Sequence, residues 1–351
     1  MQVPPFSQRL FQYGTQRFIL LNRQGLCVAF RREIGGRISV LDRQRDLDFR
    51  ASGSALIRDG WRCVGRAWSS PGFSSRRLQT HLKMMTLRAR TSAKNPKNGG
   101  KQMHTYKIHP IVLGTKVFDK GMMTYQHGYG RQYVIPIYAW YLEGGDQKVL
   151  VDTGEMSPIQ SPEREAAIGG RIYTFEDGLV RWGLKPEEID VVIHTHLHTD
   201  HCENDYKCPN AEIFVHRAEL EHIHHPHPLD FRYLEDYIEE VEENGQLRII
   251  DEDREILPGI RVMHTPAHSA GGLSVLVDTA QGLAVITGFC VIDENFNPPL
   301  DVKAMEMAVI PPGTPVDVYR AYDILLEVKS MADILIPLHE PKFAGVATVG
   351  E

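Results

Sequence analysis

The stretch HTHLHTDHCEND, residues 194–205, places four histidines and one aspartate within its first eight residues. The apolar run VVI directly before it is typical of a buried strand. Side chains two residues apart in an extended chain point the same way, so His196 and His198 can face one point as the strand ends. Asp200 and His201 follow at once, and a turn there can direct them to a second point. Because zinc binds imidazole and carboxylate, we interpret the stretch as half of a metal site.

Three further candidate ligands stand where other apolar runs end. His268 lies in HTPAHSAGG after the run RVM, Cys290 ends ITGFC, and His339 ends IPLH. Loops at the ends of strands often converge to build functional sites, so we expect these side chains to approach the histidine turn. The sequence therefore predicts a metal site assembled from the turn and from three distant segments.

The elements between these residues predict an α/β protein. Runs of strands with interspersed helices favour two packed sheets with helices outside. A helical spacing of apolar residues at 316–332 puts Val318, Tyr322, Leu325 and Leu326 on one face. The predicted strands are 134–143, 148–154, 191–195, 211–216, 260–265, 272–278, 282–288 and 333–339.

Composition excludes several classes of function. The chain has 351 residues, of which 42% are hydrophobic, as in ordinary globular proteins. Residues 103–351 carry 40 Asp and Glu against 19 Lys and Arg, which argues against a nucleic-acid partner. No apolar run approaches the length of a membrane span. Five irregularly spaced cysteines and the lack of a secretory signal indicate a cytoplasmic protein. We therefore expect a small-molecule partner.

The first 102 residues differ from the rest. They hold 20 Lys and Arg, sixteen of them Arg, against 5 Asp and Glu, and RARTSAKNPKNGGKQ at 88–102 has the composition of a linker. We interpret residues 1–102 as a basic N-terminal extension that is disordered or not part of the native protein. A transit peptide and a small folded module are the alternatives. Residues 103–351 form the predicted functional domain.

On these residues the chain resembles the metallo-β-lactamase superfamily. The resemblance rests on HLHTDH at 196–201, TPAH at 265–268 and PLH at 337–339. Within the superfamily the chain is most similar to the N-acyl homoserine lactonase family, through IPIYAWYLEGGDQKVLVDTG, HTHLHTDHCEN, HTPAHSAGG and DENF. The likeness covers about residues 103–345. It implies an αββα sandwich of two mixed sheets with helices outside.

The resemblance also implies two metal ions per chain, zinc or another divalent metal. His196, His198 and His268 match the ligands of the first ion. Asp152, in the motif VDTG, matches a position that supports the site from behind the ligands.

For the second ion, the matching ligands are Asp200, His201 and His339. The family adds an aspartate that bridges the two ions, and its place falls to Cys290, which lies 22 residues after His268. A thiolate is a good zinc ligand, so we predict that Cys290 also binds the metal. The alternative is that Cys290 is a small buried apolar residue.

The predicted activity is hydrolysis of an ester or lactone, such as an N-acyl homoserine lactone in quorum quenching, by metal-bound hydroxide. Asp200 is both a ligand and the predicted catalytic proton shuttle. The family has a tyrosine after the bridging position, where this chain has Asp293, so the exact substrate stays open. The alternatives are a thioesterase or glyoxalase-II-like hydrolase, a β-lactamase-like enzyme, a mononuclear iron enzyme and a non-catalytic metal-binding module.

Overall fold

The computed structural model describes residues 104–351 in full and, before them, only the backbones of seven strands. The chain divides into two units, 1–99 and 100–351. In the first, β1 to β5 form an antiparallel sheet in chain order, and β6 pairs with β7. The prediction for residues 1–102 otherwise falls outside the described residues and stays a prediction. These strands are β1 (Leu10–Tyr13), β2 (Arg17–Asn22), β3 (Gly25–Arg31), β4 (Arg37–Leu41), β5 (Asp46–Arg50), β6 (Ala55–Ile57) and β7 (Trp61–Cys63).

A mixed sheet in residues 104–351 leads into the histidine turn. Its strands are β8 (Lys107–Asp119), β9 (Gln132–Glu143), β10 (Val149–Val151), β11 (Val191–Ile193), β12 (Glu212–His216) and β13 (Leu247–Ile250). Their order across the sheet is β13-β12-β11-β10-β9-β8. The pairs from β10 to β13 are parallel, whereas β8, β9 and β10 are antiparallel. The histidine turn follows β11 in the middle of this sheet.

A second mixed sheet supplies the other half of the sandwich. Its strands are β14 (Arg254–Leu257), β15 (Ile260–His264), β16 (Leu273–Thr279), β17 (Gly282–Ile286) and β18 (Ile334–Ile336), in that order across the sheet. The pairing is antiparallel except between β17 and β18. His268 follows β15 and His339 follows β18, so both reach the site from strand ends.

Helices cover the outer face of each sheet. The helices are α1 (Pro162–Ile168), α2 (Phe175–Val180), α3 (Thr199–Cys202), α4 (Arg217–His224), α5 (Asp236–Glu243), α6 (Asp293–Phe296), α7 (Leu300–Ala304) and α8 (Val318–Met331). Short 3-10 helices occupy Lys120–Met122, Pro186–Glu188, Asp205–Lys207 and Pro341–Phe343. Among the described residues, no helix is long and apolar enough to cross a membrane.

Three apolar layers hold these elements together. Trp140 and Val191 of the first sheet pack with Val275 of the second in the layer between the sheets. The outer face of the first sheet packs on α2, α4 and α5, and that of the second packs on α8. Burial of this apolar surface is the main favourable contribution to folding. The predicted αββα sandwich is confirmed.

The helix α8, the longest within residues 104–351, differs from its prediction in which face it buries. Asp317 caps it by accepting hydrogen bonds from the backbone N–H groups of Tyr319 and Arg320. The buried side chains are Ala321, Ile324, Leu325 and Val328. Of the predicted stripe, Leu325 is buried, Tyr322 and Leu326 pack at its border, and Val318 is half-buried. The apolar residues surround too much of the helix for their spacing to fix the buried face.

We propose that residues 103–351 fold and act without the basic extension. Removing residues 1–102 should leave the unfolding midpoint unchanged and the specific hydrolytic rate within about twofold of that of the full chain, since residues 104–351 contain three apolar layers of their own. Circular dichroism and a hydrolysis assay on both proteins measure this. Loss of folded protein would show that the extension is structural.

Candidate metal centre

A first group of ligands consists of three buried histidines. Ring nitrogens of His196, His198 and His268 lie within 4.8 Å of one another. His196 and His198 lie in the turn between β11 and α3, and His268 comes from the loop after β15. The imidazole rings of His198 and His268 meet nearly at right angles, with centroids 4.9 Å apart. These three histidines therefore lie together, as expected from the sequence.

A second group adjoins the first. An oxygen of Asp200 and ring nitrogens of His201 and His339 also lie within 4.8 Å of one another. Asp200 and His201 are in α3, and His339 follows β18. The centroids of His196 and His201 are only 4.1 Å apart, so the two groups share a boundary. The two groups contain the six histidine and aspartate ligands that the resemblance implied, and among the described residues Cys290 is in neither group.

Hydrogen bonds donated by ring Nδ1 atoms orient three of the imidazoles. Nδ1 of His268 lies 3.0 Å from the carbonyl oxygen of Thr314, and Nδ1 of His339 lies 3.0 Å from that of Pro136. Nδ1 of His201 lies 2.8 Å from Oδ2 of Asp152. Because these oxygens accept, each Nδ1 carries the proton and each Nε2 presents a lone pair to its group. Each of these imidazoles is therefore in the tautomer that ligation by Nε2 needs.

The ring of His198 gives the sharpest evidence that the group suits a metal. Its Nε2 is buried and has no hydrogen-bond partner among the described residues. The nearest carboxylate oxygen, Oδ2 of Asp230, is 3.5 Å away. An unpartnered buried polar atom is costly unless something binds it. A divalent cation would satisfy this atom together with the other two imidazoles.

The pKa values of most of these ligands favour the deprotonated forms that bind metals. His201 is the exception: burial alone would lower its pKa, but Asp200 and Asp152 raise it above the ordinary value. Burial and neighbouring histidines hold the pKa of His196 and of His268 well below the ordinary value. Burial lowers the pKa of His339 to about 4. Burial alone would raise the pKa of Asp200, but His201 and Lys116 hold it below its ordinary value. These donors therefore fit metal ions at neutral pH.

Behind the ligands, Asp152 joins the two sides of the site. Its carboxylate accepts from the backbone N–H and the hydroxyl of Thr195, at 2.8 and 2.7 Å, and from Nδ1 of His201. Its φ of 59° is in the left-handed region, a strained conformation that points to a functional constraint. Burial alone would raise its pKa, but His201 and His194 lower it to about 2. The ionised carboxylate of Asp152 thus orients the imidazole of His201 and makes that imidazole a more basic ligand.

His194 is not a ligand but part of this support. Its Nε2 lies 2.8 Å from Oδ2 of Asp205, and its Nδ1 lies 3.5 Å from Oδ1 of Asp152. Burial alone would lower its pKa, but Asp205 and Asp152 raise it to about 10. A buried imidazolium therefore lies between two carboxylates.

This arrangement predicts a pH dependence of stability. The protonated form of His194 stabilises the fold fully below its unfolded pKa of 6.5, and this contribution is lost as the pH rises towards about 10. In the wild type, His194 should make the free energy of unfolding fall by at most about 1.4 kcal/mol per pH unit between these two pKa values. Replacing His194 by asparagine should remove this contribution and make the pH dependence flatter. Urea unfolding at both ends of the range measures the slope. Parallel slopes for the variant and the wild type would contradict the assignment.

Two residues differ from the lactonase pattern. Cys290 is buried, and its Sγ lies 3.7 Å from Sδ of Met123 in an apolar cluster. It is not a member of either group of close ligand atoms among the described residues. Burial raises the pKa of its thiol to about 12. Asp293 pairs with Lys342 at 2.7 Å. The prediction that Cys290 binds metal stays a prediction.

Replacing Cys290 by alanine tests that prediction. If the thiolate is a ligand, the metal content should fall towards one ion per chain, because the second group would lose a donor. Metal analysis of the purified variant beside wild type measures this. Unchanged metal content would assign Cys290 to packing against Met123.

Some supporting residues gave no signal in the sequence. Glu219 is buried in α4, and its Oε2 accepts from the N–H of Leu197 at 3.0 Å and from the hydroxyl of Tyr233 at 2.9 Å. Its Oε1 accepts from the N–H of Gly271 at 2.7 Å. It therefore ties the histidine turn to the loop that carries His268. Because two of its partners are backbone groups, no residue pattern marks them. Asp205, which bonds His194, did have a signal in the sequence, since it is the last residue of the stretch HTHLHTDHCEND.

Comparisons with known proteins agree with this geometry. The family model described as "Metallo-beta-lactamase superfamily" matches residues 133–288. An N-acyl homoserine lactonase from Bacillus cereus is 30% identical over 199 residues, which cover 53% of this chain and 76% of that protein. The lactonase AiiB from Agrobacterium fabrum is 26% identical, over 47% of this chain and 67% of its own.

A solved structure shares both the fold and part of the sequence. It is an N-acyl homoserine lactone hydrolase with the product N-hexanoyl-L-homoserine bound at its catalytic metal center. It aligns with a TM-score of 0.53 and 25% identity, over 68% of this chain and 94% of its own. The chain therefore belongs to the metallo-beta-lactamase superfamily, is homologous to its N-acyl homoserine lactonases and is a metallo-hydrolase.

Proposed function

We propose that the protein hydrolyses a lactone and opens its ring to a hydroxy acid. The observation that carries this proposal is the pair of adjoining ligand groups, with three donors in each. The relatives named above are lactonases, and one of them binds a ring-opened N-acyl homoserine. They support a lactone with an acylamino substituent as the substrate class.

The residues present fit two divalent ions, and we propose zinc. His196, His198 and His268 would hold one ion, and Asp200, His201 and His339 would hold the other. When bound, such ions polarise a carbonyl oxygen and acidify water to near neutral pH. The chain keeps the imidazoles oriented for this task through the carboxylate of Asp152 and the carbonyl oxygens of Thr314 and Pro136.

We propose Asp200 as the catalytic carboxylate. It is ionised, one of its oxygens lies 3.5 Å from Nζ of Lys116, and its side chain is 13% exposed, so it borders the open side of the site. As the water oxygen bonds to the carbonyl carbon, an Asp200 oxygen takes a proton from that water. The same oxygen then gives the proton to the ring oxygen as the ring C–O bond breaks.

A panel of hydrolysable substrates tests the proposal. Purified protein is assayed with acylamino γ-lactones of several chain lengths, with acyl thioesters and with a chromogenic β-lactam. We expect kcat/KM for the best lactone to exceed that for any thioester or β-lactam at least about tenfold, a difference in transition-state binding of about 1.4 kcal/mol. A thioester or β-lactam preferred over every lactone would contradict the proposal.

A further inference from the structure

The segment between α4 and α5 brings two opposite charges to the first ligand group. Arg232 places its NH1 atom 3.1 Å from Nε2 of His268. Asp230 places Oδ2 3.5 Å from Nε2 of His198. Their neighbours Leu229 and Phe231 are exposed, whereas Asp230 and Arg232 are partly buried. Neither the sequence pattern nor the predicted ligand set accounts for them.

The backbone of this segment is fixed to the metal turn. The carbonyl oxygen of Arg232 accepts from the N–H of Thr199 at 3.0 Å. The hydroxyl of the next residue, Tyr233, donates to buried Glu219, and its ring packs against His198 with centroids 4.6 Å apart. A side chain that starts from an anchored backbone loses little freedom when it binds a ligand.

Asp230 also fixes the direction of the guanidinium. Its two oxygens accept from Nε and NH2 of Arg232, at 2.6 and 2.9 Å. This two-point contact uses one edge of the planar guanidinium and leaves NH1 to point at the first group. The side chain of Arg232 is 31% exposed, so a ligand from solvent can reach it.

The atom that faces NH1 of Arg232 is Nε2 of His268, the same atom that would bind a metal ion. Nδ1 of His268 donates to Thr314, so Nε2 is the acceptor that faces Arg232. A lone pair engaged by a metal no longer accepts a hydrogen bond. NH1 is then available to a different acceptor beside the first group. A further cation near the site, Lys116, lies between the carboxylates of Glu155 and Asp200.

We propose that Arg232 is a specificity-determining residue whose NH1 binds a carboxylate oxygen of the hydroxy acid formed by ring opening. This inference rests on the proposed function, because it assigns the product's carboxylate to the same site. A charge-assisted hydrogen bond from arginine to carboxylate is among the stronger hydrogen bonds in proteins. Small carboxylates should therefore occupy the site and compete with the substrate.

Equilibrium binding tests this without turnover. Hexanoate and its uncharged counterpart hexan-1-ol are titrated into metal-loaded wild type and into the Arg232→Gln and Arg232→Lys variants, with metal content measured in each. Arg171→Gln is the matched control, because Arg171 is exposed and lies over the ring of Tyr173. We expect Arg232→Gln to weaken hexanoate binding about 10- to 100-fold, with Arg232→Lys intermediate and hexan-1-ol unaffected.

Several results would overturn the inference. These are no hexanoate binding to wild type, equal binding by wild type and Arg232→Gln, or an equal loss in Arg171→Gln. A loss of binding that merely follows a loss of metal also counts against it. If Arg232-dependent hexanoate binding holds but no lactone is hydrolysed, the proposed function fails while the carboxylate site stands.

Discussion

Replacing His268 by alanine should remove one metal ion per chain and lower lactone hydrolysis at least about 100-fold. Replacing a residue that only hydrogen-bonds a metal ligand typically lowers metal affinity or activity 10- to 100-fold, and replacing the ligand itself should lower them at least as much. Within residues 104–351, His268 is the only ligand of the first group that does not come from the histidine turn. Without it, two imidazoles on one turn would have to hold the ion.

Metal analysis and steady-state kinetics on the same preparations measure this effect. His339→Ala should remove one ion in the same way, because His339 is the distant donor of the second group. His222→Ala is the matched control. His222 is a histidine of α4 that belongs to neither ligand group among residues 104–351, and its ring donates a hydrogen bond to the carbonyl oxygen of Ala218. Wild-type metal content in His268→Ala would contradict the assignment of the first group.

Replacing Asp200 by asparagine should lower kcat by about 10²- to 10⁴-fold, the usual contribution of a positioned acid–base group. Asparagine keeps the shape of the side chain but cannot take and return a proton. The ammonium group of Lys116, which helps to hold Asp200 ionised, would also lose its counter-charge. The effect should therefore appear in kcat more strongly than in the binding of substrate.

Glu203→Gln is the matched control for Asp200→Asn. Glu203 closes the same helical turn, and its carboxylate accepts from the N–H of Met156 at 2.8 Å, an interaction that an amide oxygen can keep. We expect the kcat of Glu203→Gln to stay within about threefold of the wild-type value, because the substitution keeps the hydrogen bond to Met156 and creates no cavity. A kcat for Asp200→Asn within threefold of wild type would remove Asp200 from the proton transfer.

The sequence predicted most of the site because its chemistry is concentrated at strand ends. The histidine turn follows a buried strand, and His268 and His339 each follow another strand of the sandwich. Metal ligands are few in type, so their occurrence at such positions is informative. The apolar runs predicted two packed sheets, and the resemblance implied that both sheets are mixed. Several strands are shorter than predicted.

What the sequence could not predict depends on contacts between distant segments. Glu219 binds backbone groups of Leu197 and Gly271, and any residue can supply a backbone N–H. Arg232 reaches His268 only because its segment folds back on the turn. The buried face of α8 shifted for a related reason, since the sheet against which it packs selected among several apolar positions.

Lactone hydrolysis by a single preparation before and after chelation tests the central claim most directly. The two buried ligand groups predict close to two ions per chain, loss of hydrolysis when a chelator removes them, and recovery when zinc is restored. Undiminished hydrolysis by metal-free protein would contradict the account.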